Sequence, residues 1–199
     1  MKLLIASNNQ HKIEEIKQVL KKENISVELV SPKEIGLTNF DVIEDKFTLD
    51  GNAEKKAIEF YNETGITCFA DDTGLEVDAL NGEPGVYSAR YAGENCSYDD
   101  NCNKLLSEMD NKANRNAQFR TVICFYDGKQ PHFVEGVCRG EITKEKFGTG
   151  GFGYDPVFRP ENYEITFAEM GNEEKNKISH RGLAVIEFAK FLKDYINGN

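Results

Sequence analysis

Short apolar runs alternate with amphipathic segments along the first half of the chain. Residues 2–6 (KLLIA) predict a strand, and residues 11–22 place apolar side chains at helical spacing. Further strands are predicted at 25–30 (ISVELV) and 66–70 (ITCFA), with a helix at 50–64 between them. Strands that alternate with helices in this way are typical of parallel crossover units. The predicted face of the first helix carries Ile13, Ile16, Val19 and Leu20.

The second half of the chain has a different pattern. A helix is predicted at 98–109, and the strand-like runs 117–126 and 132–143 flank the short turn 127–131, which predicts an antiparallel hairpin. The last helix is predicted at 180–195. Its expected core stripe is Leu183, Ile186, Ala189, Leu192 and Ile196. The fold class is therefore α/β, with a mixed sheet flanked by helices and a single domain over residues 1–199.

Composition limits the possible partners and the compartment. The net charge of −10 argues against nonspecific binding to nucleic acid polymers or to an anionic membrane surface. The apolar run at residues 3–6 is too short for a signal peptide, and no later stretch approaches a membrane span. The five cysteines form no CxxC pair. We therefore expect a reduced, cytoplasmic protein without a structural zinc site.

Two adjacent aspartates follow the third predicted strand, where their like charges repel each other. Asp71 and Asp72 suit divalent metal binding and the activation of a water molecule, because hard cations prefer carboxylate oxygens. Glu44, in a polar loop, is a candidate for a second metal-binding carboxylate. The alternative is a turn in which one aspartate caps the next segment and the other is solvated.

Three other segments carry candidate ligand-binding groups. Residues 7–9 (SNN) precede a helix, where they either bind phosphate or simply cap the helix. The glycine-rich segment 148–156 (GTGGFGYDP) contains Phe152 and Tyr154, whose flat faces suit base stacking, and Asp155, which suits a sugar or base N–H. The segment 173–182 (EEKNKISHRG) gathers cationic side chains before the last helix, where an anion or a base carbonyl would favour them.

In order and spacing, these blocks resemble the inosine triphosphate pyrophosphatase family over essentially the whole chain. The matching segments are ASNNQHK, ADDTGLEVDALNGEPGVYSARYAG, GTGGFGYDPVF and EEKNKISHRG. The resemblance implies hydrolysis of non-standard purine nucleoside triphosphates (ITP, dITP and XTP) to the monophosphate and pyrophosphate, with Mg²⁺ as cofactor. It also implies an elongated sheet with two lobes around a central nucleotide cleft, and a homodimer.

The resemblance assigns roles to individual residues. Asp72 is implied as the catalytic proton acceptor and a metal ligand, and Glu44 as the companion ligand. The implied substrate-binding residues are Ser7, Asn8, Asn9, Gln10, His11, Lys12, Lys56, Thr73, Phe152, Gly153, Tyr154, Asp155, Lys175, His180 and Arg181. One position departs from the family pattern T-x-x-E-N at residues 48–52, where Gly51 replaces the glutamate. This departure puts in doubt the further carboxylates expected around the metal site, but not Asp72. Asp50, one position earlier, is a candidate to substitute for the missing glutamate.

Two other functions remain open from the sequence. ADDTGL superficially resembles the D-K-T-G-T motif of enzymes that form an aspartyl-phosphate, in which case Asp71 is the nucleophile and orthophosphate is the product. Against this, Asp72 replaces the lysine and Leu75 the last threonine of that motif. The other alternative is a non-catalytic purine nucleotide sensor, which Gly51 favours and the presence of Glu44, Asp72 and Lys12 disfavours.

Overall fold

The structure, a computed structural model, describes residues 1–198 and confirms the predicted α/β class. The helices are α1 Gln10–Lys22, α2 Leu49–Thr64, α3 Tyr98–Glu108, α4 Asn172–Ile178 and α5 His180–Asn197. The strands are β1 Lys2–Ile5, β2 Glu28–Val30, β3 Cys68–Val77, β4 Pro84–Gly85, β5 Asn116–Tyr126, β6 His132–Ile142 and β7 Phe158–Pro160. The short helix α4 is absent from the sequence-based expectation, which placed only a cationic segment there.

The strands form one mixed sheet, as predicted. Its order is β2-β1-β3-β5-β6-β7, and β4 pairs with β3. Strand β1 runs parallel to both β2 and β3, with Leu4 opposite Val30 and Cys68. The pairs β3–β4 and β6–β7 are antiparallel. The parallel part comes from the alternating strands and helices of the first half of the chain, as the sequence pattern indicates.

The described residues divide into two compact units. Unit 1 comprises 1–72, 121–136 and the chain from His180 onward, and unit 2 comprises 73–120 and 137–179. The core of unit 1 includes the predicted α1 face together with buried side chains of β1 and α5. The core of unit 2 is built around aromatic rings, with Phe158 at 4.7 Å from Phe119 and 5.1 Å from Phe167 between ring centroids. None of the helices in residues 1–198 combines the length and the apolar run that a membrane crossing needs.

The predicted core stripe of the last helix is only partly correct, because Ala189 and Leu192 are buried as expected. Leu183 and Ile186 are only half-buried and Ile196 is exposed. The other buried apolar side chains of the helix are Ala184, Val185 and Phe188, which the prediction did not include. The physical reason lies at Gly136 of β6, where a Cβ atom would collide with the backbone of His180 and Ala184. This close approach fixes the first turn of α5 and thereby selects the face that includes Ala184 and Phe188.

The prediction that a strand ends before the aspartates is also wrong. Strand β3 continues through Asp71 and Asp72 to Val77. Successive side chains of a strand point to opposite faces, so adjacent carboxylates in β3 enter different surroundings. The repulsion expected from their adjacency in sequence is reduced by this separation and by the cations described below.

Candidate functional site

Asp71 is the anionic centre of a buried ion-pair cluster in unit 1. Its side chain is 1% exposed, and its Oδ2 lies 3.0 Å from Lys12 Nζ. Arg181 Nε lies 3.6 Å from the same oxygen. Burial alone would raise the pKa of Asp71, but the charges of Lys12, Arg181 and Lys56 outweigh it and hold the pKa well below its usual range. Asp71 is therefore a stable anion.

Asp72 lies in a different environment, although it is the next residue. Its Oδ2 accepts a hydrogen bond from Asn52 Nδ2 at 3.0 Å, and its Oδ1 lies 3.7 Å from Lys56 Nζ. Burial raises the pKa of Asp72; Lys56 opposes this shift and the nearby Glu44 adds to it. The two aspartates thus have pKa values shifted in opposite directions, a pattern that separates acid–base roles in enzymes.

Lys56 of α2 joins the second carboxylate to this site. Its ammonium group donates to Glu44 Oε1 at 2.6 Å and to the Asp71 backbone carbonyl at 2.5 Å. Burial alone would lower the pKa of Lys56, but the charges of Asp72, Glu44 and Asp71 raise it overall. Lys56 therefore stays protonated, and its ammonium group forms ion pairs with both Glu44 and Asp72.

The donor set around Lys56 fits a hard divalent cation. Glu44 and Asp72 contribute carboxylate oxygens, which Mg²⁺ prefers to nitrogen or sulfur. Residues 1–198 contain no cluster of three or more His, Cys, Asp or Glu side chains placed to hold a metal ion. Two carboxylates suit Mg²⁺ when phosphate oxygens and water complete its shell.

The loop before α1 caps that helix. Asn9 is the N-cap residue, and its side-chain oxygen accepts from the backbone N–H groups of His11 (3.0 Å) and Lys12 (3.3 Å). Ser7 Oγ accepts from Asn9 N at 3.2 Å, and Asn8 Nδ2 donates to the Phe40 carbonyl at 2.9 Å. Asn9 therefore caps the helix, and phosphate binding by residues 7–9 stays a prediction. The cap fixes the start of the helix that presents Lys12 to Asp71.

The cationic start of α5 also belongs to unit 1. Arg181 Nη1 lies 2.5 Å from Glu15 Oε2 of α1, in addition to its pair with Asp71, and its side chain is buried. His180, the first residue of α5, is buried as well. Two carboxylates of the protein, Glu15 and Asp71, thus pair with the cation of this first helical turn, and its contact with a ligand stays a prediction.

The remaining predicted residues form a cluster within unit 2. Asp155 Oδ2 accepts from Lys175 Nζ at 2.7 Å and from the Phe152 backbone N–H at 2.8 Å. The Lys175 ammonium lies 5.1 Å from the centroid of the Phe152 ring, which is cation–π distance. Gly151 has φ +70° and a Cβ there would overlap the Asp155 carboxylate, so the glycine-rich segment is a defined turn around Asp155.

Three other predicted residues of unit 2, Tyr154, Thr73 and Gly153, lie outside this cluster of contacts. Tyr154 is buried in the core of unit 2, and its hydroxyl donates to the Ser88 carbonyl at 2.9 Å. Its ring is therefore a packing element in this structure, and Phe152 is the half-buried aromatic of the segment. Thr73 is half-buried in β3, directly after Asp72, and Gly153 has a positive φ of +63°.

Sequence reasoning did not assign roles to Asn52 and Glu15, which contact Asp72 and Arg181 respectively. Asn52 is the last residue of the T-x-x-E-N pattern, so the sequence did contain a signal for its role. Glu15 carried none, because it lies on an amphipathic helix and its partner is 166 residues away. From the sequence, Asp71 is a candidate metal-binding or nucleophilic group, and the structure places two cationic partners, Lys12 and Arg181, beside it.

The structure shows which part of the molecule position 51 contacts, and so what a glutamate there would do. Thr48 is the N-cap of α2 and its Oγ1 accepts from Gly51 N at 3.1 Å. Position 51 is therefore N3 of the helix, the last residue of a capping box, where a glutamate side chain normally returns to the N-cap backbone N–H. The nearest atoms to a Cβ at Gly51 belong to Lys46 and Thr48, not to Glu44 or Asp72. The departure at Gly51 therefore affects the start of a helix.

We expect Gly51→Glu to raise the free energy of unfolding by about 0.5–1 kcal/mol, because it removes a helical glycine and completes the capping box. A Cβ at position 51 would lie 3.0 Å from the Cβ of Lys46, so the Lys46 side chain must shift slightly. Lys46 is exposed, which allows this shift. Urea unfolding of both proteins measures the change. A large change in turnover with unchanged stability would instead place position 51 in the catalytic site.

The sequence matches a known protein family and several known proteins over nearly its full length. The profile of the Ham1 family matches residues 3–191. A protein of Flavobacterium johnsoniae named dITP/XTP pyrophosphatase is 53% identical over 193 residues, which are 96% of this chain and 98% of that protein. A protein of the same name from Flavobacterium psychrophilum is 50% identical over 194 residues, 98% of this chain and 100% of that protein.

The structure is also similar to solved structures of other proteins. The Ham1 protein of Staphylococcus aureus is 40% identical with a TM-score of 0.87, covering 98% of this chain and 100% of that one. A HAM1 protein from Coxiella burnetii is 34% identical with a TM-score of 0.90, covering 98% and 99%. Both contain the same fold, so the mixed sheet with flanking helices is confirmed.

Proposed function

This chain belongs to the Ham1 family, and we propose from that membership that it is a nucleoside-triphosphate pyrophosphatase. It hydrolyses non-standard purine nucleoside triphosphates to the monophosphate and pyrophosphate and so removes them from the nucleotide pool. The observation that carries the proposal is the placement of Asp72, which lies 3.7 Å from Lys56 Nζ, the partner of Glu44, and accepts from Asn52; burial there also raises the pKa of Asp72. A carboxylate whose pKa rises towards neutrality is a better general base.

Asp72 acts as that base. It accepts the proton of a water molecule that attacks the α-phosphorus, and the bond from that phosphorus to the bridging oxygen breaks to release pyrophosphate. Asn52 holds Asp72 Oδ2 during this step, because its amide donates to that oxygen at 3.0 Å. Lys12 and Lys56 supply the positive charge that phosphate oxygens require.

Glu44 and Asp72 hold the cofactor, for which Mg²⁺ is the ion that best fits their oxygen donors. When bound, Mg²⁺ neutralises phosphate charge and polarises the bond that breaks. The proposal extends to a homodimer in the cytoplasm, on the resemblance described above. It also retains the predicted substrate contacts of Phe152, Asp155 and Lys175 in unit 2.

Purine selectivity follows from hydrogen-bond donors. Hypoxanthine and xanthine present a 6-keto acceptor where adenine presents a 6-amino donor. We assign His180 and Arg181 as donors to the keto oxygen, supported by their fixed positions at the start of α5. Buried donors that meet another donor go unpaired, and such sites discriminate by roughly 10⁴–10⁵. dITP and XTP appear in the names of the two Flavobacterium proteins reported above, and ITP shares their 6-keto group.

Incubation with ITP and Mg²⁺, without any added pyrophosphatase, tests the reaction. We expect pyrophosphate and IMP in equal amounts, and a kcat/KM for ATP that is lower by a factor of roughly 10⁴ or more. Orthophosphate with IDP would support the aspartyl-phosphate route. Nucleotide binding without product in saturating Mg²⁺ would support the sensor.

The structure gives a reason to disfavour the aspartyl-phosphate route. An Asp71 nucleophile must leave its pairs with Lys12 and Arg181, which surround its carboxylate inside unit 1. Its lowered pKa shows that these pairs stabilise the charge strongly, and such a carboxylate is a poor nucleophile. Asp72 lies beside a half-exposed Glu44 and is the better-placed reacting group.

A further inference from the structure

Asn52 connects two parts of the proposed catalytic site. It is 0% exposed. Its Nδ2 donates to Asp72 Oδ2 at 3.0 Å, and its Oδ1 accepts from the Lys46 backbone N–H at 2.9 Å. A carboxylate only accepts and a backbone N–H only donates, so these two partners fix a single orientation of the amide.

The second of these partners belongs to the segment that carries Glu44. Segment 43–46 is held to α2 at further points, because Lys55 Nζ donates to the Ile43 carbonyl at 2.9 Å and Lys56 Nζ donates to Glu44 at 2.6 Å. Ile43 and Phe47 are 77% and 87% exposed. Apolar burial of these side chains therefore contributes little to holding the segment, and polar contacts from α2 do most of it.

We propose that Asn52 is a positioning residue that orients Asp72 and the Glu44 segment together. One amide sets the rotamer of the general base and, through Lys46, the position of the companion carboxylate. This inference rests on the proposed function, since it concerns the same site. Groups that orient metal-binding carboxylates through hydrogen bonds usually change metal affinity or activity by about 10–100-fold when they are removed.

The test uses Asn52→Ala and the similarly sized Asn52→Leu. For both we expect kcat for ITP to fall by about 10–100-fold, with KM changed by less than about threefold. Mn²⁺ affinity, measured by calorimetry without nucleotide, should fall by about tenfold or more. Chymotrypsin cleavage after the exposed Phe47 should accelerate while cleavage elsewhere does not.

Asn101 of α3 supplies a matched control. It is also buried, and it uses both ends of its amide, accepting from Ala92 N at 2.7 Å and donating to the Ala89 carbonyl at 3.2 Å. Asn101→Ala should lower stability by an amount similar to that of Asn52→Ala, because both remove a buried, doubly bonded amide. It should leave kcat, Mn²⁺ affinity and the Phe47 cleavage rate unchanged.

Three results would overturn the inference: wild-type kcat in the folded Asn52 variants, a loss of kcat with unchanged Mn²⁺ affinity and Phe47 cleavage, or failure of both variants to fold. The last would make Asn52 a structural residue. The proposed function is tested separately by the wild-type protein in the same assay. If the wild type makes no pyrophosphate, the function fails, whereas the Mn²⁺ and cleavage measurements still decide whether Asn52 positions the two carboxylates.

Discussion

Asp72→Asn should reduce kcat for ITP by a factor of about 10²–10⁴, the usual contribution of a general base. The amide is the same size but cannot accept a proton from water. Its oxygen can still accept the hydrogen bond from Asn52, which holds Asp72 at 3.0 Å in the wild type. Steady-state rates of pyrophosphate release measure the loss.

The same substitution should not destabilise the protein. The raised pKa of Asp72 means that burial disfavours its charge in the folded state. Removing that charge should therefore leave the free energy of unfolding unchanged or raise it, when both proteins are measured in EDTA. Asp78→Asn, at an exposed position of unit 2, is the matched control for activity and stability. Near-wild-type turnover in a folded Asp72→Asn protein would rule out Asp72 as the base.

The fold was predictable where periodicity was strong. Helix α1 has its apolar residues at helical spacing, and the structure buries Ile13, Ile16, Val19 and Leu20 as expected. The prediction of α5 located the helix and two of its buried residues, Ala189 and Leu192. It missed the rest of the buried face, because that face depends on the close approach of Gly136, a residue of a different element. Strand β3 was cut short because two aspartates normally end a buried strand, and the cations that permit them there are distant in sequence.

The resemblance names the residues of the candidate site. It does not predict which partners surround each of them. Sequence alone placed Asp71 and Asp72 side by side with no physical means of separating their roles. Their difference arises from partners on other elements, since Lys12 and Arg181 contact Asp71 whereas Asn52 contacts Asp72. The place of Gly51 in the first turn of α2 was likewise not evident from the sequence, because only the cap geometry at Thr48 shows what that position contacts.

Asp71→Asn should have the opposite effect to Asp72→Asn, a loss of about 3 kcal/mol in the free energy of unfolding. Breaking a buried ion pair on one side leaves an uncompensated buried charge, which costs about 3–5 kcal/mol. Here the charges left behind are those of Lys12, 3.0 Å from Asp71 in the wild type, and Arg181 at 3.6 Å. Urea unfolding at pH 7 in EDTA measures the loss.

The pH dependence of this loss has a definite sign. The folded-state pKa of Asp71 is lowered, so its stabilising charge is fully present above the unfolded pKa of about 3.9 and is lost as pH falls further. Burial lowers the pKa of Lys12, and Asp71 is the charge that most opposes this. Without Asp71, Lys12 should lose its proton more readily, so the difference between the proteins should shrink as pH rises from 7 towards 10.

The matched control is the exposed ion pair of α5, in which Glu187 Oε1 lies 2.7 Å from Lys190 Nζ and both side chains are more than half exposed. Glu187→Gln should change stability by less than about 1 kcal/mol, because water already solvates both charges. An equally small effect of Asp71→Asn would contradict the buried ion-pair cluster. A large effect, together with the lost turnover and the unchanged or raised stability of Asp72→Asn, would show that β3 carries one structural and one chemically active carboxylate at consecutive positions.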